Sequence, residues 1–188
     1  MIIKGSELLG LELKSKNNQS LGYTVNDLVI ASKGNYVIAL LLKNNYLKKE
    51  SKKNCKILCF NKIIEINNSI VTLNDKSITT FEQRPEIYEL VEKPIKMIGF
   101  EVYSNNQELI GVVKDMILNI NNGRIMGLVL SEGLFADLYN GYSVLPLDSN
   151  LAKYNYDCNR IIVNELIEEQ IFDYGGGFKN IFSIDSDI

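Results

Sequence analysis

The chain contains a long internal repeat, and this feature limits its fold more than any other. The segment LLGLEL at residues 8–13 returns as MIGFEV at residues 97–102, and Gly22 returns as Gly111 at the same distance from the shared glycine. A repeat of about 90 residues is too long for a solenoid unit and suits a small domain. The sequence therefore predicts two copies of one small fold.

The two copies stay aligned apart from small changes in length between apolar blocks. Residues 25–29 (VNDLV) match residues 113–117 (VKDMI), and residues 37–42 match residues 125–130. Loops tolerate insertions better than strands do. We therefore interpret the length changes as loop insertions in a duplicated domain.

Each copy consists of short predicted strands separated by turns. Residues 36–42 and 124–130 are continuous apolar runs rich in β-formers, which is typical of buried strands. Glycines at the bends favour a sheet that curls into a small closed barrel. The fold class is therefore all-β, with a short C-terminal helix over Glu165–Asp173 that Asn164 caps. The predicted boundaries are a first barrel at 1–81, a linker at 82–94 with one helical turn, a second barrel with the C-terminal helix at 95–174, and a flexible tail at 175–188.

The composition excludes several classes of function. The 188 residues include no histidine, so one subunit cannot form a Ser-His-Asp or Cys-His site or a histidine-ligated metal site. The net charge of -3 argues against a global basic field for nucleic acid. No apolar run is long enough for a membrane span or a signal peptide. We expect a cytoplasmic protein, and the odd number of cysteines, 3, fits a reducing compartment.

Acidic residues occupy matching positions in the two copies. Asp27 matches Asp115, and Glu12 matches Glu101. Such carboxylates bind a cation or transfer protons in some proteins. Alternatively, the aspartates bond backbone amides at a barrel corner while the glutamates face solvent. The second interpretation is favoured, because each barrel would need the same structural contact.

The cysteines are a weaker candidate for a metal site. Cys55 and Cys59 lie on the same side of a predicted strand, and Cys158 lies elsewhere in the chain. Structural zinc takes four cysteine or histidine ligands, which one chain cannot supply. We expect the thiols to fill the core as small apolar groups, and we expect no metal and no cofactor.

Two loops are candidate binding surfaces. The loop at 43–56 is basic. It either binds RNA phosphate or an anionic surface, or it is a solvated loop without a partner. The solvated loop is the favoured interpretation. Its candidate anion-binding residues are Lys48, Lys49, Lys52 and Lys53. The matching loop at 132–142 is apolar instead, and it either binds a partner or plugs a barrel. Its candidate partner-binding residues are Leu134, Phe135, Leu138, Tyr139 and Tyr142.

The second copy resembles the PRC-barrel family. The resemblance rests on residues 98–102, 110–115, 123–130 and 144–148, and both copies follow the pattern over roughly 4–80 and 93–165. The family includes a cytoplasmic barrel of the photosynthetic reaction centre and the C-terminal domain of a ribosome maturation factor. The resemblance implies two tandem PRC-like barrels that bind other molecules and perform no catalysis.

The expected function is therefore a non-enzymatic adaptor or scaffold that acts through protein–protein contacts with an unidentified partner. Two alternatives stay open at this point. One is a ribosome- or RNA-associated maturation factor that uses the basic loop at 43–56. The other is a regulator that binds a small ligand or a metal through the paired carboxylates.

Overall fold

The chain divides into two compact units. The computed structural model describes residues 2–47, 55–133, 137, 141–147, 152–155, 157–165 and 169–173. The first unit comprises residues 3–96 together with residues 118–125, and the second comprises Ile2, residues 97–117 and the described residues from 126 onward. The all-β prediction is confirmed, and no described helix is long and apolar enough to cross a bilayer.

The regular elements are mostly short strands. The strands are β1 (Ile2–Lys4), β2 (Glu12–Ser15), β3 (Ser20–Ile30), β4 (Val37–Asn44), β5 (Lys56–Cys59), β6 (Ile63–Ile66), β7 (Ser69–Thr72), β8 (Ile78–Thr79), β9 (Glu101–Tyr103), β10 (Leu109–Asn119), β11 (Ile125–Ser131), β12 (Ser143–Pro146), β13 (Ala152–Asn155), β14 (Arg160–Val163) and β15 (Phe172–Asp173). The α-helices are α1 (Gly5–Leu8) and α2 (Pro85–Glu92), and 3₁₀ turns lie at Phe60–Lys62 and Asp75–Ser77.

The two units have the same strand order. The first sheet runs β6-β7-β2-β3-β4-β5-β8, and the second runs β13-β14-β9-β10-β11-β12-β15, with β1 as a further partner of β10. Each sheet contains one parallel pair at the same place, β2 with β7 and β9 with β14. Among the described strands the two ends of each path do not pair, so each sheet is a curled half-barrel, although the sequence predicts full closure. The terminal strands β8 and β15 are only two residues long, which leaves little backbone for closing the ring.

The core of the first unit includes helix α2, which lies in the segment that the sequence predicts to be a linker with one helical turn. Pro85 is the first residue of α2, where its missing N–H costs no hydrogen bond. Ile87 and Val91, one turn apart, are buried against a cluster that includes Val29 and Ile57. Residues 82–94 therefore contribute to the core of this unit and do more than join two barrels.

Residues 118–125 complete the first unit. The backbone N–H of Val37 donates to the oxygen of Gly123 at 2.8 Å, and the N–H of Ile125 donates to the oxygen of Asn35 at 3.0 Å. Tyr36 and Arg124 form an antiparallel bridge between these two bonds. The repeat boundaries do not predict this membership, because residues 118–125 lie within the second copy of the sequence.

The second unit has a smaller described core cluster, and its last described element is the strand β15. Ile117, Val129 and Val144 form the cluster, and Ile2 packs against it. The pairing of β15 with β12 shows that the prediction of a helix over Glu165–Asp173 is wrong at its last two residues. The edge of β12 offers backbone hydrogen bonds that a helix there would leave unused.

The start of the predicted C-terminal helix is described. Glu165 is helical, and the N–H of Glu169 donates to its oxygen at 3.0 Å. Residues 166–168 and the predicted tail at 175–188 lie outside the described residues.

Candidate functional site

The matched aspartates lie in the long strands, Asp27 in β3 and Asp115 in β10. The pairing of β3 with β4 shifts between Val25 and Asp27. Oδ1 of Asp27 accepts a hydrogen bond from the N–H of Leu28 at 2.8 Å, and Oδ1 of Asp115 accepts one from Met116 at 2.8 Å. The interpretation of these aspartates as acceptors for backbone amides is confirmed. Their surroundings differ, because Asp27 is exposed whereas Asp115 is 7% exposed.

The matched glutamates have different partners. Glu12 accepts a hydrogen bond from the hydroxyl of Ser20. Glu101 accepts one from the hydroxyl of Tyr103 at 2.9 Å and forms an ion pair with Arg160 at 3.5 Å. In the part of the chain that the structure describes, no three cysteine, aspartate or glutamate side chains lie close enough to hold a metal ion.

The cysteines behave as packing groups. Cys55 and Cys59 are half-buried and pack against the core cluster of the first unit, whereas Cys158 is exposed. All three are thiols. Their packing agrees with the interpretation of Cys55 and Cys59 as apolar fillers.

The outer face of the second sheet carries exposed apolar side chains. Tyr103 of β9 pairs with Leu109 of β10 on one side and with Ile162 of β14 on the other. Residues paired across strands point to the same face of a sheet. Leu109 is 57% exposed and Ile162 is 40% exposed, while Tyr103 is half-buried. We call these three residues the apolar row.

Charged groups hold the central residue of the apolar row in place. The guanidinium carbon of Arg160 lies 4.9 Å from the centre of the Tyr103 ring, a cation–π distance. The hydrogen bond to Glu101 raises the pKa of Tyr103, and desolvation and the carboxylate charge add to this effect. Arg160 acts in the opposite direction and lowers the same pKa. The hydroxyl of Tyr103 therefore donates to the Glu101 carboxylate while the Arg160 cation lies over its ring, and these two charged groups also form an ion pair with each other.

A known domain family matches the region of the second sheet. The PRC-barrel domain family model matches residues 96–170, which span β9 to β14. The chain contains a PRC-barrel domain. No curated protein matches the sequence.

The apolar row belongs to this PRC-barrel domain and has no apolar counterpart in the first unit. At the matching strand positions, Lys14 of β2 pairs with Ser20 of β3 and with Val71 of β7, and Val71 pairs with Glu65 of β6. Three of these four residues are polar or charged. The same strand arrangement therefore forms without an apolar row, and packing of the sheet does not explain its presence in the PRC-barrel domain.

The apolar row cannot be recognised in the sequence, because its members are far apart along the chain. Leu109 and Ile162 lie on different strands, and neither belongs to an unusual local motif. Only the pairing of β9 with both β10 and β14 brings them beside Tyr103. The available signal is the contrast between Leu109 and Ser20, and between Tyr103 and Lys14, once the copies are aligned.

The two predicted binding loops lie mostly outside the described residues. This holds for Lys48, Lys49, Lys52 and Lys53 of the basic loop and for Leu134, Phe135, Leu138 and Tyr139 of the apolar loop. Tyr142 is described and is 40% exposed. These residues stay predictions.

Hydrogen bonds connect the described residues of the apolar loop with the strands on either side of it. The carboxylate of Asp137 accepts hydrogen bonds from the hydroxyl of Ser131 at 2.5 Å and from the N–H of Glu132 at 3.1 Å. The hydroxyl of Ser143 donates to the carboxylate of Glu132. These bonds join the end of β11 to the start of β12, and they fix the two points between which the loop runs in the PRC-barrel domain.

Proposed function

We propose that the chain is a non-enzymatic adaptor that acts through protein–protein contacts made by the outer face of its PRC-barrel domain. The observation that carries the proposal is the apolar row, which consists of Leu109, Tyr103 and Ile162. The matching strand positions of the first unit are mainly polar. Tyrosine and arginine are enriched in binding hot spots, and here they lie beside exposed aliphatic side chains. PRC-barrel domains are generally non-catalytic modules and often mediate protein interactions, which supports the proposal.

The charges around the apolar row indicate the chemistry of the partner. Arg160 lies over Tyr103, and Lys153 pairs with Ile162 on the neighbouring strand. Glu101 offsets one of these two positive charges. A partner segment with aliphatic side chains next to carboxylates complements this face. The loop residues Leu134, Phe135, Leu138, Tyr139 and Tyr142 are proposed to extend the contact.

Affinity capture from the native cell with matched variants tests the proposal. The row variant carries Leu109→Lys and Ile162→Lys, and its control carries Ser20→Lys and Val71→Lys at the equivalent strand positions of the first unit. We expect the row variant to lose partners that the wild type and the control retain, provided that the melting temperatures are similar. An unchanged set of partners in the row variant would exclude this face as the contact. A parallel Phe135→Asp variant tests the loop separately.

A second candidate is an RNA-associated factor that uses the loop at 43–56. The observation in its favour is Tyr46, which is 83% exposed near the exposed Lys43 and could stack on a base while lysines bind phosphate. Its test is binding of ribosomal RNA at increasing salt, for the wild type and for a variant with the four loop lysines changed to glutamine. A steep salt dependence that the variant flattens would support this candidate. Binding that is equal in both proteins would exclude the lysines as its basis.

The proposed location is the cytoplasm. Its support is the odd number of cysteines, 3, which fits a reducing compartment better than a disulfide framework.

A further inference from the structure

The first unit contains a cavity of about 250 Å³ beside helix α2. Its apolar wall includes Val29 of β3, Leu41 of β4 and Val91 of α2, all of which are buried. Asp27 and Lys96 line the same cavity from the bulge of β3 and from the segment after α2. The site therefore combines an aliphatic surface with one group of each charge.

Asp27 and Lys96 form no ion pair with each other in the described part of the chain. Asp27 and Lys96 are both exposed, and neither takes part in an ion pair within the described part of the chain. Oδ1 of Asp27 accepts the N–H of Leu28, which anchors the carboxylate to the backbone. A ligand with its own ammonium and carboxylate groups could bridge the two residues, because each of its charges would meet an opposite one.

The remaining lining narrows the class of ligand. The described residues of the lining include no aromatic side chain on which a base could stack, and no arginine or glycine-rich loop that would hold phosphate. The volume lies below the usual range of sites for drug-sized molecules, which begins at about 300 Å³. We propose that this cavity binds a free aliphatic α-amino acid of about the size of leucine. Its ammonium group pairs with Asp27, its carboxylate with Lys96, and its side chain packs against Val29, Leu41 and Val91.

The matched aspartate of the PRC-barrel domain, Asp115, shows that the fold does not require an exposed carboxylate at this position. Asp115 makes the same bond to the following backbone amide while it is 7% exposed. Asparagine keeps the oxygen that accepts this bond but removes the charge. Asp27→Asn therefore tests the ligand, and Asp115→Asn is its structural control.

Calorimetric titration of the full chain with leucine tests the proposal. Isoamylamine lacks the carboxylate and 4-methylpentanoate lacks the ammonium group, so both should bind at least about tenfold more weakly than leucine. Asp27→Asn and Lys96→Gln should weaken leucine binding by a similar factor, whereas Asp115→Asn should leave it unchanged. Either analogue binding as tightly as leucine, or an unaltered affinity in Asp27→Asn, would overturn the proposal. So would the absence of saturable heat up to about 10 mM leucine.

A second measurement keeps the test independent of the charged residues. Cys55 lines the cavity, and its alkylation can be followed alone in a Cys59→Ser, Cys158→Ser background. Bound leucine should slow the alkylation of Cys55 at concentrations that match the calorimetric affinity. An alkylation rate that saturating leucine does not change would place leucine elsewhere and overturn the proposal.

Discussion

Gly123 lies in the second copy of the repeat, but residues of the first copy leave no room for a side chain at this position. Its φ is +72°, in the left-handed region. A Cβ atom built at this position would lie 2.3 Å from the backbone oxygen of Val37 and 3.0 Å from the ring of Phe60. Gly99 also has a positive φ, +90°, but a Cβ atom there would meet nothing within 4 Å. A side chain at Gly99 would therefore cause backbone strain alone, whereas one at Gly123 would cause backbone strain and a steric clash.

We predict that Gly123→Ala destabilises the chain more than Gly99→Ala does. Gly99→Ala should cost about 1–2 kcal/mol, the strain of a left-handed residue with a side chain. Gly123→Ala should cost at least about 1–2 kcal/mol more, because the nearby oxygen is part of the backbone and belongs to a hydrogen-bonded bridge. Urea unfolding of both variants measures the difference, and equal losses would show that the close approach to Val37 is absent in solution.

Tyr103 gives the second prediction for a single residue. Its raised pKa means that the contribution of the hydroxyl to stability is complete below the ordinary tyrosine value, about 10. This contribution is lost as the pH rises through the higher value of the folded chain. We expect Glu101→Gln to lower the pKa of Tyr103, because it removes the carboxylate, and Arg160→Gln to raise it further.

Nuclear magnetic resonance of chain labelled at the tyrosine ring carbons measures this pKa, and Tyr103→Phe assigns the signal. A pKa that is the same in the wild type and in Glu101→Gln would contradict the hydrogen bond of 2.9 Å between the two side chains.

At the scale of elements, the first hairpin of each unit repeats in detail. The side chain of Ser15 accepts a hydrogen bond from the N–H of Gln19 at 3.2 Å, and Ser104 accepts one from Glu108 at 3.2 Å. These contacts join residues that are only four positions apart along the chain. Helix α2 is different, since its stability depends on strands that are distant in sequence.

We predict that Ile87→Ala lowers the free energy of unfolding of the first unit by about 2–4 kcal/mol. Ile87 is 4% exposed and belongs to the core cluster with Val29 and Ile57. Glu89→Ala, at an exposed position of the same helix, should change stability by less than about 0.5 kcal/mol. Thermal or urea unfolding distinguishes the two variants. A small effect of Ile87→Ala would mean that α2 behaves as part of a linker.

At the scale of the whole molecule, the compact units do not coincide with the copies of the repeat. Residues 118–125 belong to the first unit, through backbone hydrogen bonds of Val37 and Ile125. A fragment that ends at residue 96 would contain the whole first copy and still lack part of the first unit. The repeat therefore identifies the fold of each copy without identifying which residues stabilise it.

We predict that this fragment, residues 1–96, loses protection of the Val37 amide against hydrogen exchange. In the full chain that amide donates to Gly123, which the fragment lacks. The amide of Val25 donates to the oxygen of Leu11 and should stay protected in both, which makes it the internal control. Equal protection of Val37 in the fragment and the full chain would exclude the contribution of residues 118–125.

The amino-acid sequence alone was enough to identify the all-β class, the PRC-barrel resemblance and the bonds that Asp27 and Asp115 accept from backbone amides. These features depend on alternation along a strand, on glycine positions and on bonds between adjacent residues, which are local properties of the chain. The tertiary structure alone decided the apolar row, the cavity between Asp27 and Lys96, and the membership of residues 118–125. Pairing between strands and packing of a helix on a sheet determine which distant residues become neighbours. A local sequence pattern does not predict these contacts, because they join residues that are far apart along the chain.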